Sequence, residues 1–545
     1  MNFKNQLSYK IRLIIIAISI CTTTQAQIVL GTYASKSKYI SNSPFSYFEI
    51  SFDGDIEVTA NDEDIKSMSP GSYLKISRSS FGNKRKLELR GSEGGKIIRR
   101  YFEGRNELPF EPDGADWLAD ILMEVIRTTG IDAKGRVDRF YRNSGVNGVL
   151  DEISEIESSS GKGRYFDALL LKELSNQDIT GIASSISYLI SSSSEKGRLY
   201  RRHSKAFLVN DQVSSSYFRG ISRISSNSEK GSVLKYILEY DLSETQFKGV
   251  LDVVESLSSS SEKGSVLRQV NKASIENMNL SDEYFGAINS ISSNSEIGSV
   301  LRDLLSEVNL NDEMLTELFY SVGRMSSSTE MGNVLKSAIK RSKITDQQNE
   351  AFFNALDEIS SDSEAGTVLR ALIQHEGISI STQMMLIQAI GNLSSSSEIG
   401  RTLRDAVVFM NNSSEINEVY FEVVENMSSD TEMGSVLRSL LNTKKLNDIT
   451  LIPLFRTTSR MSSNTEIGRV VRTAIETYKL STKATLALLE TIEDLSSDSE
   501  MGSCLRTLAA DIPKDNSQLL RAFKEVAGSL SSDSEYRRVM DALVD

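Results

Sequence analysis

Side chains that commonly do chemistry are scarce in this 545-residue chain, which holds 2 His, 2 Cys and 1 Trp. No zinc site built from several His and Cys can be assembled from so few. A histidine-dependent triad would have to use His203 or His375, and neither has a nearby pattern of partner residues. His203 occupies a position where other parts of the chain carry Ile237, Val270, Leu304, Leu372 and Leu508, which places it near the edge of a core. His375 falls close to a turn, where it is expected to be solvated. Cys504 invites a nucleophile, yet its equivalents are Val300, Val334, Val368, Val436 and Val470, so it is expected to be a small core hydrophobe. Sixty-one basic against 74 acidic residues give a net charge of −13. That opposes a phosphate-binding surface spread over the whole molecule and leaves room only for a local basic stripe. No catalytic, cofactor or metal site and no nucleic-acid partner is expected.

Two patterned features remain. Loops of the type Ser-Ser-Asp-Ser-Glu, containing Asp362, Asp430, Asp498 and Asp533, resemble oxygen-rich calcium loops but lack the alternating acids and the bidentate twelfth-position Glu of a hand motif. Helix capping accounts for Ser, Asp and Asn there without an ion. The second feature is a row of cations: Arg201, Lys235, Arg268, Arg302, Lys336, Arg370, Arg404, Arg438, Arg472 and Arg506. Each stands six residues after a Glu, with Asp167 and Asp541 in the two departing copies. Stacked repeats turn such a position into a ladder. Either each cation pairs with an acid or loop carbonyl of the adjacent repeat, or the run from Arg268 through Arg302, Lys336, Arg370, Arg404, Arg438 and Arg472 to Arg506 binds an extended acidic partner.

What positions these residues is one motif, Ser-Ser-x-Ser/Thr-Glu-x-Gly, with its Glu at 195, 229, 262, 296, 330, 364, 398, 432, 466 and 500. Gly161 fills the Glu position in an earlier copy and Glu535 in a later one, giving twelve copies at spacings of 33 to 35 residues. Each unit is expected to be a helix pair. Around Glu296, Ser281-Asp282-Glu283 starts a helix with Tyr284, Phe285, Ile288 and Ile291 on one apolar face. Ser293 and Glu296 have the spacing of a capping box opening the second helix, in which hydroxyl and carboxylate satisfy amides reciprocally. The residue five before the motif Glu, from Ile156 to Leu530, is apolar throughout and is expected in the core. Gly298 and its equivalents imply close helix approach, since an interior glycine costs about 1 kcal/mol of propensity. The residue after the Glu changes from Lys196, Lys230 and Lys263 to Ile297, Met331, Ala365, Ile399, Met433, Ile467 and Met501. That switch implies a surface-proximal position, either an apolar ridge for a partner or a cover for the next repeat's loop. The unit length is that of the tetratricopeptide repeat, but that repeat's Trp, Tyr and Pro landmarks are missing. The fold class is therefore mainly α: an α-solenoid of about twelve helix pairs.

Residues 27–110 differ. Phe48–Phe52 and Ile56–Val58 alternate around Asp53-Gly54-Asp55, a hairpin signal, and Ser72–Ile76, Lys86–Leu89 and Ile97–Phe102 continue the pattern between Pro70-Gly71 and Gly94-Gly95. A small antiparallel sheet of about five strands is expected, joined to the solenoid (151–545) by a helical connector over 111–150 that contains a degenerate motif, Ala133–Val137. Ahead of it, Lys4, Lys10 and Arg12 precede the apolar run Leu13–Ile20 and the small-residue site Thr24-Gln25-Ala26. This is a signal-peptide pattern, residues 1–26 with cleavage after Ala26, whose apolar run is too short to span a bilayer. Lipid modification at Cys21 is disfavoured by the bulky Ile20, and an uncleaved anchor is the other reading. After cleavage only Cys504 remains, so no internal disulfide can form.

The segments Phe52–Glu57 and Ser67–Ile76, followed by helical repeats, resemble uncharacterised exported bacterial proteins and the extracytoplasmic region attached to some antirepressor-type membrane metallopeptidases. The His-Glu-x-x-His string of those peptidases is absent, so no catalytic residue carries over. The resemblance implies an envelope-located repeat region. The expected protein is a secreted or periplasmic, non-enzymatic scaffold that binds a protein or peptide and has no transmembrane segment in the mature chain. The competing expectation is a sensor or regulatory module related to peptidase-linked signalling proteins.

Overall fold

The computed structural model describes residues 37–43, 46–272, 279–342, 344–410, 413–443 and 446–544. The expected signal peptide, 1–26, lies outside them. Contacts divide the chain into two compact units, one up to Leu199 and one from Tyr200 onward.

The first unit opens with eight strands: β1 Ser37–Ser43, β2 Ser46–Asp53, β3 Ile56–Val58, β4 Ile65–Met68, β5 Tyr73–Ser80, β6 Asn83–Gly91, β7 Ile97–Glu103 and β8 Asn106–Leu108. Six form one antiparallel sheet in the order β1-β2-β5-β6-β7-β8, and β3 pairs only with β4. The expected hairpin across Asp53-Gly54-Asp55 does not form. Both edges of β2 are taken, by β1 and β5, in registers that bury Ile50 and Phe52. Gly54 turns the chain out of that sheet at φ +80°, where a Cβ would lie 2.6 Å from the Cβ of Ser72.

Period-two alternation buries Leu74, Ile76, Leu87 and Leu89 on one face. Helix α1 (Asp113–Thr129) adds Trp117, Leu118, Ile121, Leu122, Val125 and Ile126 to the same core. The sheet and the start of the expected connector thus share one core across position 110. Helices α2 (Ala133–Glu155) and α3 (Ser159–Leu169) follow. Arg136, from the segment expected to be a degenerate motif copy, is instead a fully buried hub. Its guanidinium donates to Glu152 at 2.7 Å and to the Tyr165 hydroxyl at 2.7 Å, and it pairs with Asp62 in the β3–β4 turn. Arg139 also pairs with Asp62, and Asp132 accepts the Val58 amide at 3.1 Å. This cluster ties the β3–β4 hairpin to α2 and α3.

The second unit is an α-solenoid. First helices such as Glu244–Glu255, Ser281–Asn289 and Asp312–Gly323 pack successively in one layer. Second helices such as Ser260–Asn271, Asn294–Glu307 and Ser328–Arg341 pack in the other. The position five before the motif Glu is buried in all copies except Leu393, which is half-buried. Among the described residues no helix is long and apolar enough to cross a membrane.

Asp62→Ala would strip buried Arg136 of one of its two carboxylates, leaving Glu152, and would also take the carboxylate from Arg139. It should lower the stability of the first unit by about 3 kcal/mol, in the range for breaking a buried pair. Urea unfolding followed through Trp117, the chain's single Trp, measures this.

Candidate functional site

Each second helix begins the same way. At Asn294–Glu307 the N-cap Ser293 accepts the Glu296 amide at 3.4 Å, which satisfies one orphan donor. The return half of the expected capping box is not made, because the Glu side chain turns toward the preceding repeat. Glu296 accepts from Arg268 at 3.1 Å, and Glu330 from Arg302 at 2.7 Å. The offset is 28 residues for Arg201–Glu229 at 3.0 Å, Arg404–Glu432 at 3.0 Å, Arg438–Glu466 at 2.6 Å, Arg472–Glu500 at 2.8 Å and Arg370–Glu398, and 29 for Arg506–Glu535. Arg201, Arg268, Arg404 and Arg472 also donate to the next repeat's hydroxyl three residues past its Glu, Ser232, Ser299, Ser435 and Ser503. The sequence-predicted cations are thus engaged, each with the carboxylate of the adjacent repeat.

The motif glycine belongs to the same rung. A Cβ on Gly298 would lie 2.5 Å from Glu330 Oε2, and one on Gly434 2.6 Å from Glu466 Oε2. The expectation of close helix approach is therefore refined: the space a side chain would fill holds the next repeat's carboxylate.

Lysine makes a poorer rung. Lys235–Glu262 and Lys336–Glu364 are both 3.7 Å apart, and Oε2 of Glu262 and of Glu364 is buried without a hydrogen bond. Arginine's planar fork reaches the carboxylate where the single ammonium does not.

The first copies show the rule through their exceptions. Gly161 stands in the Glu position facing Gly130, where its own Cβ would lie 3.3 Å from the Gly130 nitrogen and a Cβ on Gly130 would lie 2.7 Å from the Gly161 Cα. A helix C-cap, not a preceding repeat, sits there. Asp167 at the cation position would oppose Glu195, and Arg198 bridges the two acids at 2.8 and 2.6 Å.

A second row runs alongside the rungs. The loop residue two before the Glu begins the helix and reaches the next repeat's loop. Asp362 accepts the Ser394 and Ser395 amides at 3.2 and 2.8 Å, and Asp430 those of Ser462 and Ser463 at 2.9 and 2.8 Å. Asn294 donates to Ser326 Oγ at 2.9 Å and accepts its amide at 3.0 Å. Asp498 bonds to Ser531, and the hydroxyl holds its carboxyl below the usual range. These loop acids serve the neighbouring loop rather than their own helix cap, a role invisible when one repeat is read alone. Among the described residues no group of three His, Cys, Asp or Glu could hold a metal.

From Glu195 to Glu500 the residue after the Glu is buried, contrary to the surface-proximal expectation, with Ile297 half-buried; Tyr536, after Glu535 in the last copy, is exposed. It lies under the end of the next repeat's first helix: Lys263 Nζ donates to the Ser290 carbonyl at 2.9 Å, and Ser529 Oγ lies 3.5 Å from Met501 Sδ. Burial lowers the ammonium pKa of Lys230 and Lys263. Cys504 is fully buried, and burial pushes its thiol up to about 11. His203 is half-buried between Ser193–Arg202 and Ser204–Phe207, and His375, expected to be solvated, is half-buried in the turn after Asp362–Ile373.

No family model and no curated protein matches the chain. Among solved structures it is similar to SYS-1, with 8% identity over 78% of this chain and 79% of that one, TM-score 0.18. It is also similar to a circular tandem repeat protein with novel repeat topology, with 12% identity over 79% and 90%, TM-score 0.14. A third is a computationally designed self-assembling cyclic homo-oligomer, with 12% identity over 55% and 94%, TM-score 0.11. At scores this low nothing about this chain rests on them.

Lys336→Arg should raise stability by about 0.5–1.5 kcal/mol by satisfying Glu364. Gly298→Ala should lower it by about 1–2 kcal/mol despite alanine's better propensity, since the rung is overpacked. Denaturant midpoints distinguish both from zero. Lys230→Met should raise the melting temperature at neutral pH. A lysine whose folded pKa is depressed binds its proton more weakly when folded, so wild-type stability rises as pH climbs through that pKa. Melting curves across alkaline pH should show the gap between the two proteins narrowing.

Proposed function

We propose that the protein is an exported, non-enzymatic repeat scaffold that binds a protein or peptide partner in the cell envelope, and that it reads this partner through the outer face of its first helices. The supporting observation is a contrast between two sets of equivalent positions. Cation, Glu, Gly and loop Ser/Asp/Asn recur nearly unchanged and bond to one another across repeats. The position ten residues before the motif Glu is exposed in most repeats and half-buried at Ser185 and Gly286, and it holds Arg219, Asp252, Tyr320, Gln388, Glu422 and Arg456 in different repeats. A constant interior with a changing exposed row lets one solenoid present a specific array of side chains. Function of this kind resides in surface groups and not in the fold. The cation ladder, with each charge already on a carboxylate, serves register; an acidic partner would have to displace a resident Glu at every step. Export rests on the charged, apolar and small-residue succession of residues 1–26.

Affinity capture from the envelope with the chain from Gln27 tests this. Capture should be lost in an Arg219→Ala, Tyr320→Ala, Glu422→Ala, Arg456→Ala variant whose melting temperature is unchanged. Capture that survives this variant, but is lost on charge reversal at Arg302, Lys336 and Arg370 without loss of stability, would transfer recognition to the ladder.

A further inference from the structure

The chain's negative charge is not evenly spread. Residues 75–105 carry ten Lys and Arg against three Glu, in a protein of net charge −13. Some of these cations are internally used: Arg99 holds Asp64, Arg78 holds Glu124, and Lys86, Arg100 and Lys75 share Glu88. Others gather at one end of the six-stranded sheet. The β5–β6 hairpin closes at the Ser80–Asn83 pair and the β7–β8 hairpin at the Glu103–Asn106 pair, so both tips lie at that end. The Gly104 amide donates to the Lys84 carbonyl at 2.8 Å, which sets the two tips side by side. Lys84, Arg85 and Arg105 are all exposed there. Arg85 meets Glu103 at 3.4 Å, while Lys84 and Arg105 make no ion pair among the described residues.

Ahead of this collar projects Phe81, 84% exposed, at the tip of the β5–β6 turn. Phe81 and Gly82 both have positive φ, +48° and +88°, the pattern of a type I′ turn. The first central position of such a turn favours Asn, Asp or Gly. A large apolar ring at that position is disfavoured by its backbone conformation.

We propose that this end of the sheet docks on an anionic phospholipid surface. An apolar tip with a basic collar behind it follows the layering of a bilayer, in which the acyl boundary lies beneath a plane of phosphates. Aromatic rings settle at that boundary, and Lys and Arg add attraction that falls with salt. A soluble polyanion, lying across the cations, would gain nothing from a ring projecting beyond them. The surface belongs to the first unit and is independent of the partner face on the solenoid.

The test is co-sedimentation of the chain from Gln27, which keeps every described residue, with vesicles of phosphatidylcholine alone or mixed with phosphatidylglycerol. Binding is expected only to the mixed vesicles and should fall as salt is raised. Lys84→Glu with Arg105→Glu should weaken it by about tenfold or more, on the usual scale per basic residue. Phe81→Ser should weaken it while leaving the salt dependence in place, and Arg460→Glu with Lys483→Glu on the solenoid should not change it. Unchanged Trp117 emission establishes that each variant is folded. Absence of binding to the mixed vesicles, equal binding to both lipids, or variants that bind like the parent would overturn the proposal. So would loss through the charge reversals with no effect of Phe81→Ser, which would mark a site for soluble polyanions.

Discussion

A carboxylate from one repeat, seated between a glycine and a cation of the repeat before it, is the contact on which the solenoid depends. The Glu cannot serve its own helix start and reach backward at once, and it reaches backward. That requires a glycine, since any Cβ there would collide with the oxygens. It also requires a cation one helical turn beyond that glycine, and the N-cap amide that the carboxylate has left goes to the preceding repeat's loop residue, as the Ser395 amide does to Asp362. Each rung is part-exposed, with Arg302 33% and Glu330 24% accessible, so a single one is worth about 0.5–1 kcal/mol. Their effect is in register. Stability in such a stack is close to a sum over nearest neighbours, and a slipped pairing would forfeit every rung it crossed.

The departures from the motif follow from the same contact. Gly161 stands where no preceding repeat offers a rung, and Asp167 is tolerated because Arg198 lies between it and Glu195. Where lysine replaces arginine, the carboxylate keeps its countercharge at 3.7 Å and loses its hydrogen bond. Lys230 and Lys263 hold a position that later repeats fill with Met or Ile, so the early part of the stack carries charge where the later part carries packing.

Much of the solenoid was legible in the sequence because its period is set by local signals: Ser before the helix, Gly after the Glu, and an apolar residue five before it. The partner of each side chain was not, because those signals are silent on whether Glu296 turns to Ser293 or to Arg268. The near-constant offset of 27 to 29 residues from each cation to the next Glu was the available clue. In the sheet, the alternation in Phe48–Phe52 and Ile56–Val58 was visible, but adjacency in sequence misled. Gly54 separates two sheets, and β2 found its partners in β1 and β5. Arg136 was hidden because a charged residue in a helical pattern is ordinarily solvated, and only the fold brings Asp62, Glu152 and Tyr165 around it.

The same economy bears on function. Residues that looked reactive by type and spacing are occupied by one another, which is why the recognition proposed above is assigned to positions that change between repeats and to the basic end of the sheet. The most direct test of this account is a double-mutant cycle on Arg302 with Glu330, run beside one on Arg302 with Glu296 of its own repeat. The cross-repeat pair should show a coupling of about 0.5–1 kcal/mol and the same-repeat pair close to none. Coupling confined to Glu296, or absent from both pairs, would contradict it.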